Sequence, residues 1–507
     1  ISACLVGSEM CIRDSLKSLV DSGINDWGGI SPLTPDHVNP EAPWPEISHL
    51  AKTMANYGKV LTERLPTYPR FALNSKKWID PETTPALLRS MDQQGYARED
   101  EWAPGQSTFP PAYQKSKIPL KSKGAGKNIE QILESVNGSG EMEEEKIIHL
   151  LNARGLEFDR VCDFAYELRN KVSGEEVTYA VNRNINYTNV CYFRCGFCAF
   201  SKGKMSENLR GKPYDLKLDE IVSRTREAWD RGASEVCLQG GIHPSYTGET
   251  YLQICEAIHE AVPGIHIHAF SPLEVSQGAS TLGLNVPEFL EKLRDSGLGT
   301  LPGTAAEVLD DEVRNIICPD KLSTQEWLSV MRDAHKKGFR TTATIMFGHV
   351  EAPCHVARHL LRIRNLQKET GGFTEFVPLP FVHMEAPIYL KGKSRKGPTF
   401  REAVLIHATA RIVLHPFIQN IQTSWLKMGP EGVKACLDAG ANDLGGTLMN
   451  ESITRAAGTV HGQEMLPERM EALINQTGRI PKQRDTLYQN PNPGQTLKSY
   501  GNQFINF

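Results

Sequence analysis

The chain has no uninterrupted run of about 18 apolar residues, so nothing in it suggests a membrane-spanning helix. No secretory signal is visible. Charge of one sign is also missing. The 56 basic and 60 acidic residues leave a formal net charge of -4, and no long block of like charge points to nucleic acid. Cysteine is sparse: eleven in 507 residues do not make a disulfide scaffold. Scattered thiols without a secretory signal imply a reducing, cytoplasmic setting. What remains is globular in composition, 40% hydrophobic and 23% charged, and too long for one ordinary domain.

Organisation along the chain is uneven. Residues 1–15 include CLVGSEMCIRDS, which resembles the in-frame translation of a sequencing adapter. They are expected to be an artefact, which removes Cys4 and Cys11 from consideration. Residues 16–102 form a first piece that is too short for an enzyme barrel. It contains DSGINDWGGI (Asp21–Ile30), and DAGANDLGGT (Asp438–Thr447) agrees with it at six of ten positions. Such distant self-similarity indicates duplication. The expectation is that 16–102 is the C-terminal remnant of one barrel and that the later copy ends a second, complete one. Residues 103–143 are rich in Pro, Gly, Ser and Lys and read as a linker. Glu141–Arg154 reads as a helix, with Ile147, Ile148, Leu150 and Leu151 on one side. The main domain runs over 144–490, and 491–507 is a tail.

Within the main domain, β-type runs alternate with amphipathic stretches. The strand candidates are VTYAVNRNI near 177, SEVCLQG near 234, IHIHAFSP near 265, LGTLPGT near 298, RTTATIMFGH near 340, TEFVPLPF near 374, NIQTSWLKMG near 420 and NDLGGT near 442. Between them lie helical patterns such as LDEIVSRTREAWDRG and TQEWLSVMRDAHKKG. Eight strands alternating with helices predict a parallel α/β fold, a (β/α)8 TIM-type barrel. Chemistry in such barrels sits where the strands end.

Directly after the first strand candidate comes CYFRCGFC, a C-x3-C-x2-C loop of Cys191, Cys195 and Cys198. Three thiolates this close can ligate three irons of a 4Fe–4S cubane. The fourth iron then lacks a protein ligand and can chelate S-adenosylmethionine (SAM), the arrangement of a radical SAM site. Phe197 occupies the aromatic position expected near the adenine. Zinc is the structural alternative, in a stabilised, non-catalytic barrel. Structural zinc needs four closed ligands, yet no cysteine or histidine follows Cys198 until Cys237.

Other polar residues gather at strand ends. Gln239, Gly240 and Gly241 follow the second strand candidate, where glycines would let backbone groups approach a bound amino acid. Ser271 and Glu274, and then Thr304 and Glu307, are further candidates for SAM contacts. His266 and His268 alternate on one strand and share a face; a core or substrate-facing role fits them better than ligation. His349 and Lys427 read as satisfied polar residues lining the barrel mouth.

The run NRNINYTNVCYFRCGFCAFSKGK closely resembles the CofH-type domain of the FO synthase family. So do LQGGIHPSYTGETY, HAFSPLEV, LGTLPGTAAEVLDDEVR, FTEFVPLPFVHMEAPIYLKG and NDLGGTLMNESITRAAG. DWGGISPLTPDHVNPEAPWPEI and YAREDEWAPG in the first piece resemble the tail of the partner CofG-type domain. The resemblance implies a radical SAM transferase that uses a 4Fe–4S cluster, SAM and a low-potential electron donor. It would join the 4-hydroxybenzyl group of L-tyrosine to 5-amino-6-(D-ribitylamino)uracil, a step of deazaflavin coenzyme biosynthesis. Aminofutalosine synthase of menaquinone assembly is a near relative with the same kind of cluster loop. A CofG domain needs its own cysteine loop, and no second C-x3-C-x2-C occurs before residue 191; the CofG half-reaction is therefore expected to be absent.

Overall fold

The computed structural model describes residues 16–30, 47–111, 127–137, 142–201 and 212–501. The suspected artefact at 1–15 lies outside them. Ten strands follow in chain order: β1 (Glu176–Ala180), β2 (Asn182–Asn186), β3 (Glu235–Gln239), β4 (His266–Ala269), β5 (Thr300–Leu301), β6 (Arg340–Phe347), β7 (Phe373–Pro380), β8 (Asn420–Ile421), β9 (Asp443–Gly446) and β10 (Ile480–Arg484). β2 to β8 lie side by side in sequence order, and β1 is flanked by β9 and β10. Every pairing is parallel.

These ladders make one curled barrel. Only Val181 separates β1 from β2, so the two are halves of the first strand. Gln422, just past β8, bridges Asp443 at the start of β9, and Met449, just past β9, bridges Arg183 of β2. β9 therefore joins the last strand of the sheet to the first. Local sequence explains the elements. β6 is RTTATIMF, β-branched and apolar, and is buried along almost its whole length, as a strand covered on both faces must be. Helix Thr324–Lys336 starts at Ser323, which exchanges bonds with Glu326 in a capping box.

The closing strand β9 is fixed through charge. Arg484, the last residue of β10, clamps Asp443 with Nε (2.7 Å) and Nη2 (3.0 Å), and Nη2 also reaches Glu375 of β7 at 3.4 Å. Its guanidinium lies 3.9 Å from the centre of the Tyr488 ring, and the Tyr488 hydroxyl donates to Glu375. Thr178 of β1 donates to Asp443. Burial pushes the Glu375 carboxyl up to about 7 against the pull of Arg484. Gly445 (φ +73°) and Gly446 keep the closing strand bare where neighbouring amides fold over it. A Cβ would lie 1.8 Å from Gln422 Nε2 at the first and 2.1 Å from Asn182 Oδ1 at the second.

Four expectations need correction. The stretch 103–143 is not simply a linker, because Lys127–Asn137 is a helix whose Ile129, Ile132 and Leu133 enter the main core. Three apolar side chains at helical spacing outweigh the Pro/Gly-rich composition around them. The candidate near 420 is a strand only over Asn420–Ile421, and its SWLKMG portion begins helix Trp425–Asp438. Helix Glu144–Leu151 is shorter than predicted at both ends. The tail at 491–507 includes helix Pro493–Gly501, where Gln495 donates to the Trp229 and Ala233 carbonyls. Residues 91–106, which straddle the expected boundary at 102, pack on the barrel. The Gln93 N–H donates to Glu402 (2.6 Å), and Trp102 meets Phe400 edge-on at 5.3 Å.

Arg484→Ala leaves Asp443 and Glu375 buried without their cation and is expected to cost about 3–5 kcal/mol. Lys482→Ala, which breaks a surface pair with Glu176 whose side chains are 44% and 48% exposed, is expected to cost less than about 1 kcal/mol. Urea unfolding of both variants checks this, and equal losses would contradict a charge-locked closure.

Candidate active site

The cysteine loop lies at the end of the barrel where the strands finish. Tyr187 and Thr188 lead out of β2, and the loop is stitched to the ends of neighbouring strands. The Gly241 N–H donates to the Thr188 carbonyl (2.8 Å), and the Tyr192 N–H donates to the Ile242 carbonyl (3.1 Å). Gly196 is held from both sides: its N–H donates to Ile317 and its carbonyl accepts from Ile388, each at 2.7 Å. The Arg194 N–H donates to Asp320 (2.8 Å). A loop fixed at this many backbone points presents its thiols in a set geometry.

All described cysteines are free, and the three of the loop are half-buried. Burial pushes the Cys195 and Cys198 thiols up, while Lys321 pulls both back. The Ser201 N–H also donates to the Cys198 sulfur at 3.3 Å. Lys321 was not foreseen. It is paired with Glu307 at 2.9 Å and lies 5.3 Å from the Phe197 ring centre. Burial works against its charge, but Glu307, Cys195 and Cys318 together hold it well above the usual lysine range. Its amine stands beside thiols that must ionise to bind metal.

The donor set fits a cluster better than a single ion. Zinc at about 2.3 Å from each sulfur brings thiolates to about 3.8 Å of one another. Among the described residues, Cys191, Cys195 and Cys198 do not gather within 4.8 Å. Three soft thiolates on one loop suit three irons of a cluster.

The remaining candidates divide. Gly240 and Gly241 border the loop, but for a reason different from the one expected. A Cβ at Gly240 would lie 2.3 Å from the Tyr187 ring, and one at Gly241 would lie 2.2 Å from the Val190 carbonyl oxygen. Packing of the cysteine loop alone requires both glycines. Gln239 places its side chain by Cys237 (3.8 Å), and its carbonyl accepts from Asn186 (3.2 Å). Ser271 caps helix Pro272–Thr281, and Glu274 completes the capping box while also accepting from the Tyr187 hydroxyl. Burial raises the Glu274 carboxyl. These two residues therefore hold the loop's support in place. Thr304 lends its carbonyl to the Trp327 indole (3.1 Å). Glu307 stands in the left-handed region (φ +46°) and holds Lys321.

His266 and His268 both bond the Thr300 hydroxyl, at 2.8 and 2.7 Å. His349 is buried between Glu351 and the Met346 carbonyl. All three are hydrogen-bonded polar residues, as expected for His349, and the Thr300 contacts fit the core role expected for His266 and His268. Burial pushes Lys427 down to about 8, against the pull of Glu451. The lumen itself is polar and incompletely filled. Asn184, Cys237 and His268 are register partners and face the same side. Asn184 and Cys237 stay half-buried, and Asn184 Oδ1 has no hydrogen-bond partner.

Residues 185–363 match the Radical SAM superfamily and residues 370–496 match the CofH/MqnC C-terminal region. A 5-amino-6-(D-ribitylamino)uracil–L-tyrosine 4-hydroxyphenyl transferase of Methanopyrus kandleri is 47% identical over 330 residues, which is 65% of this chain and 88% of that protein. The chain belongs to this transferase family. An FO synthase of Streptomyces coelicolor is 41% identical over 527 residues, covering 96% of this chain. The chain spans 60% of that relative's length. Methylornithine synthase shares the fold, with a TM-score of 0.55 at 18% identity over 69% of this chain and 97% of that one. The cofactors of the superfamily are a 4Fe–4S cluster and SAM, and in this member of the transferase family Cys191, Cys195 and Cys198 are the residues suited to hold the cluster. No helix among the described residues is long and apolar enough to cross a membrane.

Replacing any one of the three cysteines by Ala is expected to abolish cluster assembly, read as iron per chain and broad visible absorbance after anaerobic reconstitution. Lys321→Met is expected to retain only part of the iron. Full retention would show that its charge does not assist the thiolates.

Proposed function

We propose that this chain joins the 4-hydroxybenzyl group of L-tyrosine to 5-amino-6-(D-ribitylamino)uracil, in a cytoplasmic setting and with electrons from a low-potential donor. The 47% identity to the Methanopyrus kandleri transferase, which spans nearly all of that protein, carries this reading. The catalytic unit is the barrel of 144–490. When bound, the cluster and SAM supply a hydrogen-abstracting radical, and the protein supplies position and exclusion of water. Phe197, Gln239, Ser271 and Thr304 stand along the strand ends beside the loop and remain the candidates for lining the SAM site. Glu274 and Glu307 act one step back, through Tyr187 and Lys321. The half-buried Asn184 side chain faces the lumen and offers an amide toward the bound uracil. The half-buried amides Gln239 and Gln422 add polar contacts at the same open lumen.

The cysteine loop at 191–198 serves this half-reaction, and closure of the deazaflavin ring would need a second such loop. The C-terminal match covers both CofH and MqnC types, so substrate dependence is the deciding test. Reconstituted protein with SAM, dithionite, tyrosine and the ribitylaminouracil is expected to release 5′-deoxyadenosine and a coupled product only when both substrates are present. Turnover with the substrates of aminofutalosine synthesis instead would favour the menaquinone branch. Formation of the closed deazaflavin by this chain alone would overturn the half-reaction reading.

A further inference from the structure

Lys427 is not the satisfied polar residue that its place at the barrel mouth suggests. Among the described residues its amine makes no hydrogen bond and no ion pair. Its side chain is half-buried, and burial lowers the amine to about 8. Glu451 pulls the other way, but from beyond ion-pair reach. Both Glu451 oxygens are already taken. One accepts from the Thr454 N–H at 2.8 Å and the other from the Arg455 N–H at 3.4 Å. An ammonium drawn out of water without a counter-ion destabilises the unloaded protein.

The backbone around Lys427 is fixed at the mouth. β8 ends at Ile421, and the chain then crosses to the end of β9, where the Trp425 indole donates to the Gly446 carbonyl at 3.0 Å. Helix Trp425–Asp438 is broken after its first turn, at Gly429 (φ +67°) and Pro430. The turn that carries Lys427 is thus set apart from the rest of the helix. Its carbonyl accepts from the Gly105 N–H at 2.7 Å, and the Gly105 carbonyl accepts from the Val460 N–H at 2.9 Å. The exit loop of β9, which carries Glu451, holds two non-glycine residues in the left-handed region, Leu448 (φ +65°) and Asn450 (φ +68°). Strain of this kind persists only where the surroundings over-determine it, and it clusters at ligand sites.

A desolvated cation without a partner, on a fixed backbone, is suited to meet an anion. The proposed reaction brings two carboxylates, those of SAM and of L-tyrosine, and the ribitylaminouracil has none. The SAM candidates Phe197, Gln239, Ser271 and Thr304 belong to the exits of β2 to β5, whereas Lys427 belongs to the exit of β8. We propose that Lys427 binds the α-carboxylate of L-tyrosine. It holds the end of tyrosine that is not transferred and leaves the hydroxybenzyl end to face the uracil. This assignment rests on the tyrosine reading above.

The test uses the full chain, reconstituted with its cluster and supplied with SAM but no reductant, in equilibrium dialysis against labelled tyrosine. Lys427→Met is expected to weaken tyrosine binding at least about tenfold. Lys427→Arg, which keeps the charge, is expected to stay within about threefold of wild type. Labelled tyramine, which lacks the carboxylate, is expected to bind wild type and Lys427→Met alike, and so is SAM. The melting temperature of ligand-free Lys427→Met is expected to equal or exceed that of wild type, because the substitution removes an uncompensated charge. A lysine with a structural role would give the opposite shift. Undiminished tyrosine binding by Lys427→Met, an equal loss of tyramine, a loss of SAM instead, or a lower melting temperature would overturn the assignment alone. Wild-type protein that binds no tyrosine would overturn the tyrosine reading and this assignment with it.

Discussion

A parallel sheet can become a barrel only if its two edges are joined, and everything catalytic here depends on that join. The loop of Cys191, Cys195 and Cys198 leaves one edge strand, and its supports come from the ends of the strands that follow. If β9 did not sit between β8 and β1, the lumen beside that loop would open sideways to water. The join is short in backbone hydrogen bonds and strong in charge. Asp443, Arg484, Glu375 and Tyr488 form a buried set in which each polar group answers another. Such a set tolerates no missing member. Gly445 and Gly446 make the strand thin enough for Gln422 and Asn182 to lie across it.

The same economy appears at the cluster loop. Tyr187 packs against Gly240, bonds Glu274 and so ties the exit of β2 to the cap of helix Pro272–Thr281. Glu307 holds Lys321, and Lys321 faces the thiols. Residues that appear as ligand contacts when only their place at a strand end is considered are in part the frame on which the ligand contacts are mounted.

This explains which parts were legible in the sequence. The strands were readable because period and β-branching mark them locally, and the cysteines because their spacing is itself the chemistry. The barrel class followed from alternation alone. β10 was not readable: IPKQR has no strand pattern, and it pairs only because β1 offers an edge. Helix Lys127–Asn137 hid among prolines and glycines, since three buried side chains are a weak signal in such company. Lys321 could not be found, because nothing in CPDKL announces that a lysine there folds beside Cys195. The alternative geometry of SWLKMG, which enters a helix three residues after a two-residue strand, reflects a sheet that needs little length at β8.

The position of β1 between β9 and β10 bears on how the molecule is made. Its register runs from Glu176 to Ile480 and from Thr178 to Asp443. During synthesis the first strand and the cysteine loop emerge well before either neighbour of β1. Closure is thus a late event with a high loop-closure cost, the kind of non-local pairing that slows folding. Until then the nascent sheet carries an unpaired edge at β1, with the cysteines next to it.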